Sequence, residues 1–448
     1  MPREPHDTAR DIGLPEKVIL AGIRGSKKRH AARDAASVTP VDESMEELSR
    51  LAETMDYEPC AVLSQDRDAP DPATYLGKGK VAELKDLVSR EEASRVILDG
   101  ILSPMQARNL EDALEVPVMD RTDLILHIFA ARANTSEGKL QVELARRRHE
   151  LSKLAGFGVE MSNPGAGTGT RGPGEQKIEV DRRVLRSRIS HLNRELEKVQ
   201  KVRSEQRKHR RESGIPVISL VGYTNAGKST LFNALTGEEA FADDKLFATL
   251  DLWTRKWTLP SGETVLLVDT VGFIQGLPHE LVAAFRATLE ESVDAGVLLH
   301  VVDVSNRAWP RQMATVNGVL SDLGVSDRPK ITCLNKVDKV PVQEVDTVLR
   351  LHPGSLGISA LEETGLQELA KAVSRELAGK REVVTWAIPY SKWDIVFEIK
   401  RAGVVRDEKH GDDSAVITCE LSPEDVARFT RKLGLRPLPA KAGGLRRR

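Results

Sequence analysis

Eight consecutive residues, Gly222-Tyr223-Thr224-Asn225-Ala226-Gly227-Lys228-Ser229, fit the pattern G-x-x-x-x-G-K-S. That spacing wraps backbone N–H groups around phosphate oxygens, with the glycines allowing close approach. Lys228 would reach the β and γ phosphates, and the Ser229 hydroxyl would hold Mg²⁺. Thr230 follows at the start of a helical pattern, whose positive end adds to the attraction. Downstream, Phe247-Ala248-Thr249 offers Thr249 as a second Mg²⁺ ligand that senses the γ-phosphate from a switch loop. Asp269-Thr270-Val271-Gly272 offers a carboxylate that holds Mg²⁺ through water and a Gly272 N–H for the γ-phosphate. Asn335-Lys336-Val337-Asp338 and Ser359-Ala360 complete the set. The Asp338 carboxylate can accept both N–H groups on the Watson–Crick edge of guanine, where adenine presents an acceptor. Sites built on such bonds discriminate by orders of magnitude. The chemistry that such a set of residues implies is GTP hydrolysis to GDP and phosphate.

Small signalling GTPases often keep a water-orienting glutamine after the glycine of this third element; here Phe273 stands there. A phenyl ring cannot orient water by hydrogen bonding. Hydrolysis by the chain alone is therefore expected to be slow, with the missing group supplied by a switch backbone, a potassium ion or a partner. Asn225 fits two readings, a side chain that helps hold K⁺ beside the phosphates and a residue tolerated in a turn of unusual backbone angles.

These residues need a strand, loop and helix order, and the apolar run Val217–Val221 before Gly222 supplies the strand. Residues 213–380 continue in strand and helix alternation, as expected of a nucleotide domain with a Ras-like mixed sheet. Residues 37–130 alternate as well, which predicts a small α/β domain, its sheet parallel. The predicted elements there are a helix over Ser44–Met55, a strand over Pro59–Ser64, a helix over Lys80–Arg90, a strand over Arg95–Leu98, a helix over Pro104–Leu114 and a strand over Val116–Met119. Residues 1–36 read as a basic flexible arm, with Val18–Ile23 an edge strand at most. Residues 131–212 read as an antiparallel helical hairpin. Its first helix, Leu124–Ala155, breaks near Asn134–Gly138, its tip is a loop of seven glycines and two prolines over Gly156–Gly174, and its second helix runs to Glu212. Leu185, Ile189, Leu192, Leu196 and Val199 form that helix's seam. From Gln176 to Glu212 there are thirteen Lys or Arg against six Asp or Glu. A projecting arm with that surplus suits structured RNA. Residues 381–436 predict a small α+β domain with strands over Val383–Ile388, Ile395–Lys400 and Ala415–Leu421, and 437–448 a basic tail.

With 448 residues, 30% charged and 4% aromatic, the chain is expected to be soluble and to divide into about three or four domains. Cys60, Cys333 and Cys419 lack metal-ligand spacing and read as thiols of a reducing compartment. The N-terminus has no apolar core of a signal peptide, and no apolar run reaches the length of a membrane span. The expected location is the cytoplasm, with partial membrane association left open, and the expected state is a monomer.

Tyr75-Leu76-Gly77-Lys78-Gly79-Lys80, Glu137-Gly138-Lys139-Leu140-Gln141-Val142-Glu143-Leu144, Gly169-Thr170-Arg171-Gly172-Pro173-Gly174-Glu175, Asp181-Arg182-Arg183 and Asp269-Thr270-Val271-Gly272-Phe273-Ile274 together resemble the HflX GTPases. The likeness spans about Leu51–Ala370. It implies a bacterial translation GTPase that binds the large ribosomal subunit, is stimulated by ribosomes, acts under stress and, in some members, splits stalled ribosomes. It also implies that the hairpin tip meets ribosomal RNA through Gly169, Thr170, Arg171 and Gly172, with Arg182 and Arg183 behind them. A role in ATP binding for Gly77–Lys80 is a further implication. The chain departs from the family at Ala166, His127, Gly296, Leu252 and Trp253, none of them a phosphate or base contact. Two other readings compete: a GTP-dependent assembly factor for large subunits, and a signalling switch on protein partners with the basic helix merely solvated.

Overall fold

The computed structural model describes residues 15–25, 41–160, 173–212, 215–237, 247, 253–274, 295–378, 382–421 and 423–438. Three sheets organise them. In the first, β1 (Glu16–Arg24), β2 (Tyr57–Asp66), β3 (Arg95–Asp99) and β4 (Val118–Asp120) lie in the order β2-β1-β3-β4, all parallel. Parallel strands need crossover helices. These are α1 (Val41–Thr54), α2 (Lys78–Glu91) and α3 (Pro104–Leu114), and α4 (Arg121–Arg132) follows β4. Val18, Leu20 and Ile97 pack with Leu48, Leu51, Ile125 and Phe129 of α1 and α4. Ile19, Ala21, Val96 and Leu98 pack with Leu84, Val88 and Leu110 of α2 and α3 on the other face.

This placement of β1 corrects the expectation of an N-terminal arm over 1–36 with an edge strand at most. β1 is an interior strand, bonded to β2 and β3, with Val18–Ala21 buried completely. A strand covered on both faces reads as an uninterrupted apolar run, and basic neighbours in the sequence hid this one.

α5 (Ser136–Glu160) and α6 (Pro173–Glu212) form the hairpin, with the chain break between helices at Ala133–Thr135, where it was expected. Leu140, Leu144, Ile189, Leu192 and Leu196 fill its seam. Glu143 pairs with Arg188 at 2.8 Å, and Arg148 donates to Asn193 at 3.2 Å. At 1.5 Å per residue, the 40 residues of α6 span roughly 60 Å.

The second sheet has the order β10-β9-β8-β5-β7-β6. Its strands are β5 (Val217–Gly222), β6 (Trp253–Thr258), β7 (Thr264–Asp269), β8 (Val297–Asp303), β9 (Lys330–Asn335) and β10 (Leu356–Gly357). Only β6, at the edge, is antiparallel to its neighbour, so the sheet is mixed as expected. Its helices are α7 (Lys228–Thr236), α8 (Trp309–Asp322), α9 (Val342–Leu351) and α10 (Leu366–Ala378).

The third sheet, antiparallel in the order β11-β13-β12, joins β11 (Glu382–Pro389), β12 (Val404–His410) and β13 (Ser414–Leu421). α11 (Trp393–Ala402) and α12 (Pro423–Leu433) cover it. Here Ile395–Lys400, expected as a strand, is helical. Its buried residues Ile395, Val396, Ile399 and Ala402 recur at the helical period, and that face packs on Trp386 and Phe429. Among the described residues no helix is long and apolar enough to cross a membrane.

Candidate functional site

β5 enters the phosphate loop between β7 and β8. The loop's glycines are required by their neighbours. A Cβ on Gly222 would lie 2.3 Å from the Val301 carbonyl oxygen, and one on Gly227, whose φ is +90°, would lie 2.2 Å from Asn335 Nδ2. Asn225 has φ +58°, which fits the turn reading of that residue.

Five sequence segments meet around the loop. Asn335 Nδ2 donates to the Ala226 carbonyl at 2.8 Å, while its Oδ1 accepts the Ala360 N–H at 3.0 Å. Lys336 Nζ donates to the Asn225 carbonyl at 2.8 Å and pairs with Asp303 at 2.8 Å. Ser359 Oγ donates to Asp338 Oδ1 at 2.6 Å, fixing the carboxylate expected to read the base. Lys228 Nζ donates to the carbonyls of Tyr223, at 2.8 Å, and Gly222, at 3.2 Å. Burial pushes the pKa of Lys228 down to about 8. An ammonium held in carbonyls at such a cost is suited to meet phosphate.

Ser229 Oγ and Asp269 Oδ2 lie 2.8 Å apart. Two oxygen donors converging beside a phosphate loop fit the preference of Mg²⁺ for oxygen ligands. The third expected ligand, Thr249, lies outside the described residues with Ala248. Thr270 is turned inward, its hydroxyl donating to the Leu220 carbonyl at 2.6 Å. Val271 and Phe273 are buried, and Phe273 extends the sheet through Thr224 N–H to Phe273 O at 2.7 Å and Phe273 N–H to Gly222 O at 3.1 Å. A Cβ on Gly272 would lie 2.8 Å from Thr224 Cα and 3.0 Å from Lys228 Nζ, so this backbone lies against the phosphate pocket.

The motifs gave no signal for the contact that the first domain makes with this site. The Tyr223 hydroxyl donates to Glu47 Oε1 at 2.5 Å, and Glu47 is also paired with Arg121. Arg311 of α8 pairs with Glu43 of α1 at 2.9 Å. Phe247, from the switch region, meets Phe129 of α4 edge to face, centroids 4.6 Å apart. Nothing local in the sequence of α1 marks its charged residues as a contact.

Two further groups of side chains bear on binding. Asp120, Asp123 and His149 cluster closely enough to hold a cation, but Lys153 Nζ already stands 3.1 Å from Asp120 and 2.7 Å from Asp123, so an ammonium pairs with both carboxylates there. On the hairpin, Arg183 is exposed, whereas Arg182 donates to the Leu154 carbonyl at 2.5 Å and clamps the two helices. Gly169, Thr170, Arg171 and Gly172 lie outside the described residues.

Three family models match in succession: "GTP-binding GTPase N-terminal" over 42–130, "GTP-binding GTPase Middle Region" over 132–210 and "50S ribosome-binding GTPase" over 217–336. The chain is 46% identical over 399 residues to the GTPase HflX of Caldanaerobacter subterraneus subsp. tengcongensis, covering 88% of this chain and 92% of the relative. The chain belongs to the HflX family of GTPases. The HflX of Escherichia coli K12 is 43% identical over 350 residues, 78% of this chain and 82% of that one. Among solved structures, a complex titled SsGBP with GDP shares 28% identity and a TM-score of 0.46, covering 80% of this chain and 98% of that one. As an HflX family member the chain binds guanine nucleotide and hydrolyses GTP.

Proposed function

We propose that this GTPase is a ribosome-associated factor that binds the large subunit through ribosomal RNA and splits or rescues stalled ribosomes. The observation that carries the reading is the hairpin. α6 presents Arg183, Arg186, Arg194 and Lys198 to solvent on a helix roughly 60 Å long, attached to the nucleotide domain at its far end. Arg183 makes no ion pair among the described residues, and the Glu179 contact of Arg186 is long, at 3.7 Å. Lys198 and Arg188 do pair with Glu195 and Glu143, each at 2.8 Å, but thirteen bases against six acids over 176–212 leave a surplus that attracts a polyanion, and the affinity would fall steeply with salt as counterions are released.

At the nucleotide, Lys228 and the loop N–H groups would hold the phosphates, Ser229 and Thr249 would hold Mg²⁺ with Asp269 acting through water, and Asp338 with Asn335 and the Ser359-Ala360 backbone would read guanine. Mg²⁺ supplies charge neutralisation on the phosphates when bound. The chain's own residues orient the nucleotide and exclude adenine.

The test is sedimentation of intact ribosomes after incubation with the GTP-bound protein. Free subunits are the expected product. Selective binding to precursor particles without splitting would favour the assembly role instead, and no sedimentation with either particle would overturn ribosome association.

A further inference from the structure

A solvent-open cleft with a cavity volume of about 70 Å³ lies between α1, the phosphate loop and the start of α8. Its lining includes Tyr223, Thr224 and Asn225 on the nucleotide side and Glu43, Glu47 and Arg50 on the α1 side. Residues 43, 47 and 50 are spaced by four and three, so they share one helical face. Two of them dock that face: Glu43 on Arg311 at 2.9 Å and Glu47 on the Tyr223 hydroxyl at 2.5 Å. The face is therefore held against the G domain one turn before Arg50.

The two arginines of the lining differ in their partners. Arg311 is occupied by Glu43, whereas Arg50 makes no ion pair or side-chain hydrogen bond among the described residues. Across from it, the Thr224 hydroxyl is buried and likewise has no partner among them. Thr224 also lies against Gly272, whose N–H is expected to meet the γ-phosphate, and is two residues beyond Gly222. The cleft beside the loop is thus lined by an exposed arginine with no ion pair among the described residues, next to the carboxylates of Glu43, Glu46 and Glu47, in a GTPase whose water-orienting position is Phe273.

We propose that Arg50 acts as an arginine finger in cis, delivered by the N-terminal domain to the γ-phosphate of GTP. In the step it serves, a water oxygen bonds to the γ-phosphorus as the bond from that phosphorus to the β–γ bridging oxygen breaks. The electron pair leaves on GDP, and the water's proton passes to the departing phosphate. Arg50 donates N–H groups to the γ and bridging oxygens as negative charge collects there, a contact stronger in the transition state than in the ground state. This assignment rests on the GTPase activity and not on the ribosome reading, so it stands or falls separately.

The experiment uses the full-length chain, wild type, Arg50→Ala and Arg50→Lys, without ribosomes. Single-turnover GTP hydrolysis, affinity for a fluorescent GDP, and formation of the GDP·aluminium fluoride complex are measured. An arginine finger can supply about 10³-fold or more. Expected for Arg50→Ala is a loss of hydrolysis of at least about 10-fold, loss of the aluminium fluoride complex and unchanged GDP affinity, with Arg50→Lys recovering the rate only in part. Hydrolysis at the wild-type rate overturns the proposal. So does a parallel loss of GDP affinity, which marks a structural role, and so does an aluminium fluoride complex that needs K⁺ but not Arg50, which gives the position to the ion.

Discussion

The hydroxyl of Tyr223, inside the phosphate loop, donates to the carboxylate of Glu47 on α1 at 2.5 Å. The N-terminal α/β domain and the nucleotide domain are therefore joined at the loop that would hold the nucleotide. Glu47 is itself anchored by Arg121, which also pairs with Asp99 at the end of β3 at 2.9 Å. A polar chain runs from the centre of one sheet to the catalytic loop of the other.

Replacing Tyr223 by Phe should remove this bond and leave the ring's packing in place. A hydrogen bond to a charged group contributes about 1.5–3 kcal/mol, and Arg121 continues to satisfy Glu47. Faster amide exchange in α1 at unchanged overall fold is the expected result; exchange equal to wild type would show that the bond does not hold the domains together.

Gly227→Ala combines a left-handed backbone with a Cβ 2.2 Å from the Asn335 amide. Backbone strain of this kind costs about 1–3 kcal/mol, and relief would push Asn335 away from Ala226 and Ala360. Calorimetry should report a lower melting temperature together with lost GTP binding.

Lys228 titrates near pH 8 in the nucleotide-free protein because burial disfavours its charge. Bound phosphates favour the charged form and raise that value. Nucleotide binding is then accompanied by proton uptake above about pH 8, and affinity falls as pH rises beyond it. Titration calorimetry in buffers of differing ionisation heat measures the uptake, and a proton count of zero at pH 9 would contradict the assignment. In the free protein, a lysine whose folded pKa is lowered weakens the fold below about pH 8, and this cost is relieved as pH rises toward the unfolded value of 10.5.

Asp338→Asn should exchange guanosine for xanthosine triphosphate preference, because an amide donates where the carboxylate accepted. The Ser359 hydroxyl, 2.6 Å away, can still bond the new side chain, so the loop should stay in place. Competition binding would show GTP affinity falling by orders of magnitude; unchanged affinity would remove Asp338 from base recognition.

Deleting residues 165–174 should spare hydrolysis by the chain alone and abolish stimulation by large subunits. Retained stimulation would place the RNA contact elsewhere on the hairpin.

The parts of this molecule legible in its sequence are those written locally. The phosphate loop, Asp269, Asn335, Asp338 and Ser359 each sit at the end of a strand or turn, where side-chain type and spacing carry the signal, and the structure brings the described ones together. The hairpin seam was readable because leucines at helical spacing need a partner. Two elements misled. Ile395–Lys400 holds three β-branched residues, a strand propensity overridden by packing on Trp386. β1 was hidden by its basic surroundings. Phe129 against Phe247, and Glu43 and Glu47 against the G domain, join residues far apart in the chain, and no local pattern announces such a pair.

Asn335 and Lys336 stitch the base-reading segments to the phosphate loop through Ala226, Asn225, Ala360 and Asp303. Such a cradle is stiff, and it would grip the spent diphosphate as firmly as the fuel. The difference between the loaded and discharged forms must then be registered outside the cradle, at the Gly272 and Thr249 segments, and resetting the machine becomes a question of how long its ash stays in the grate.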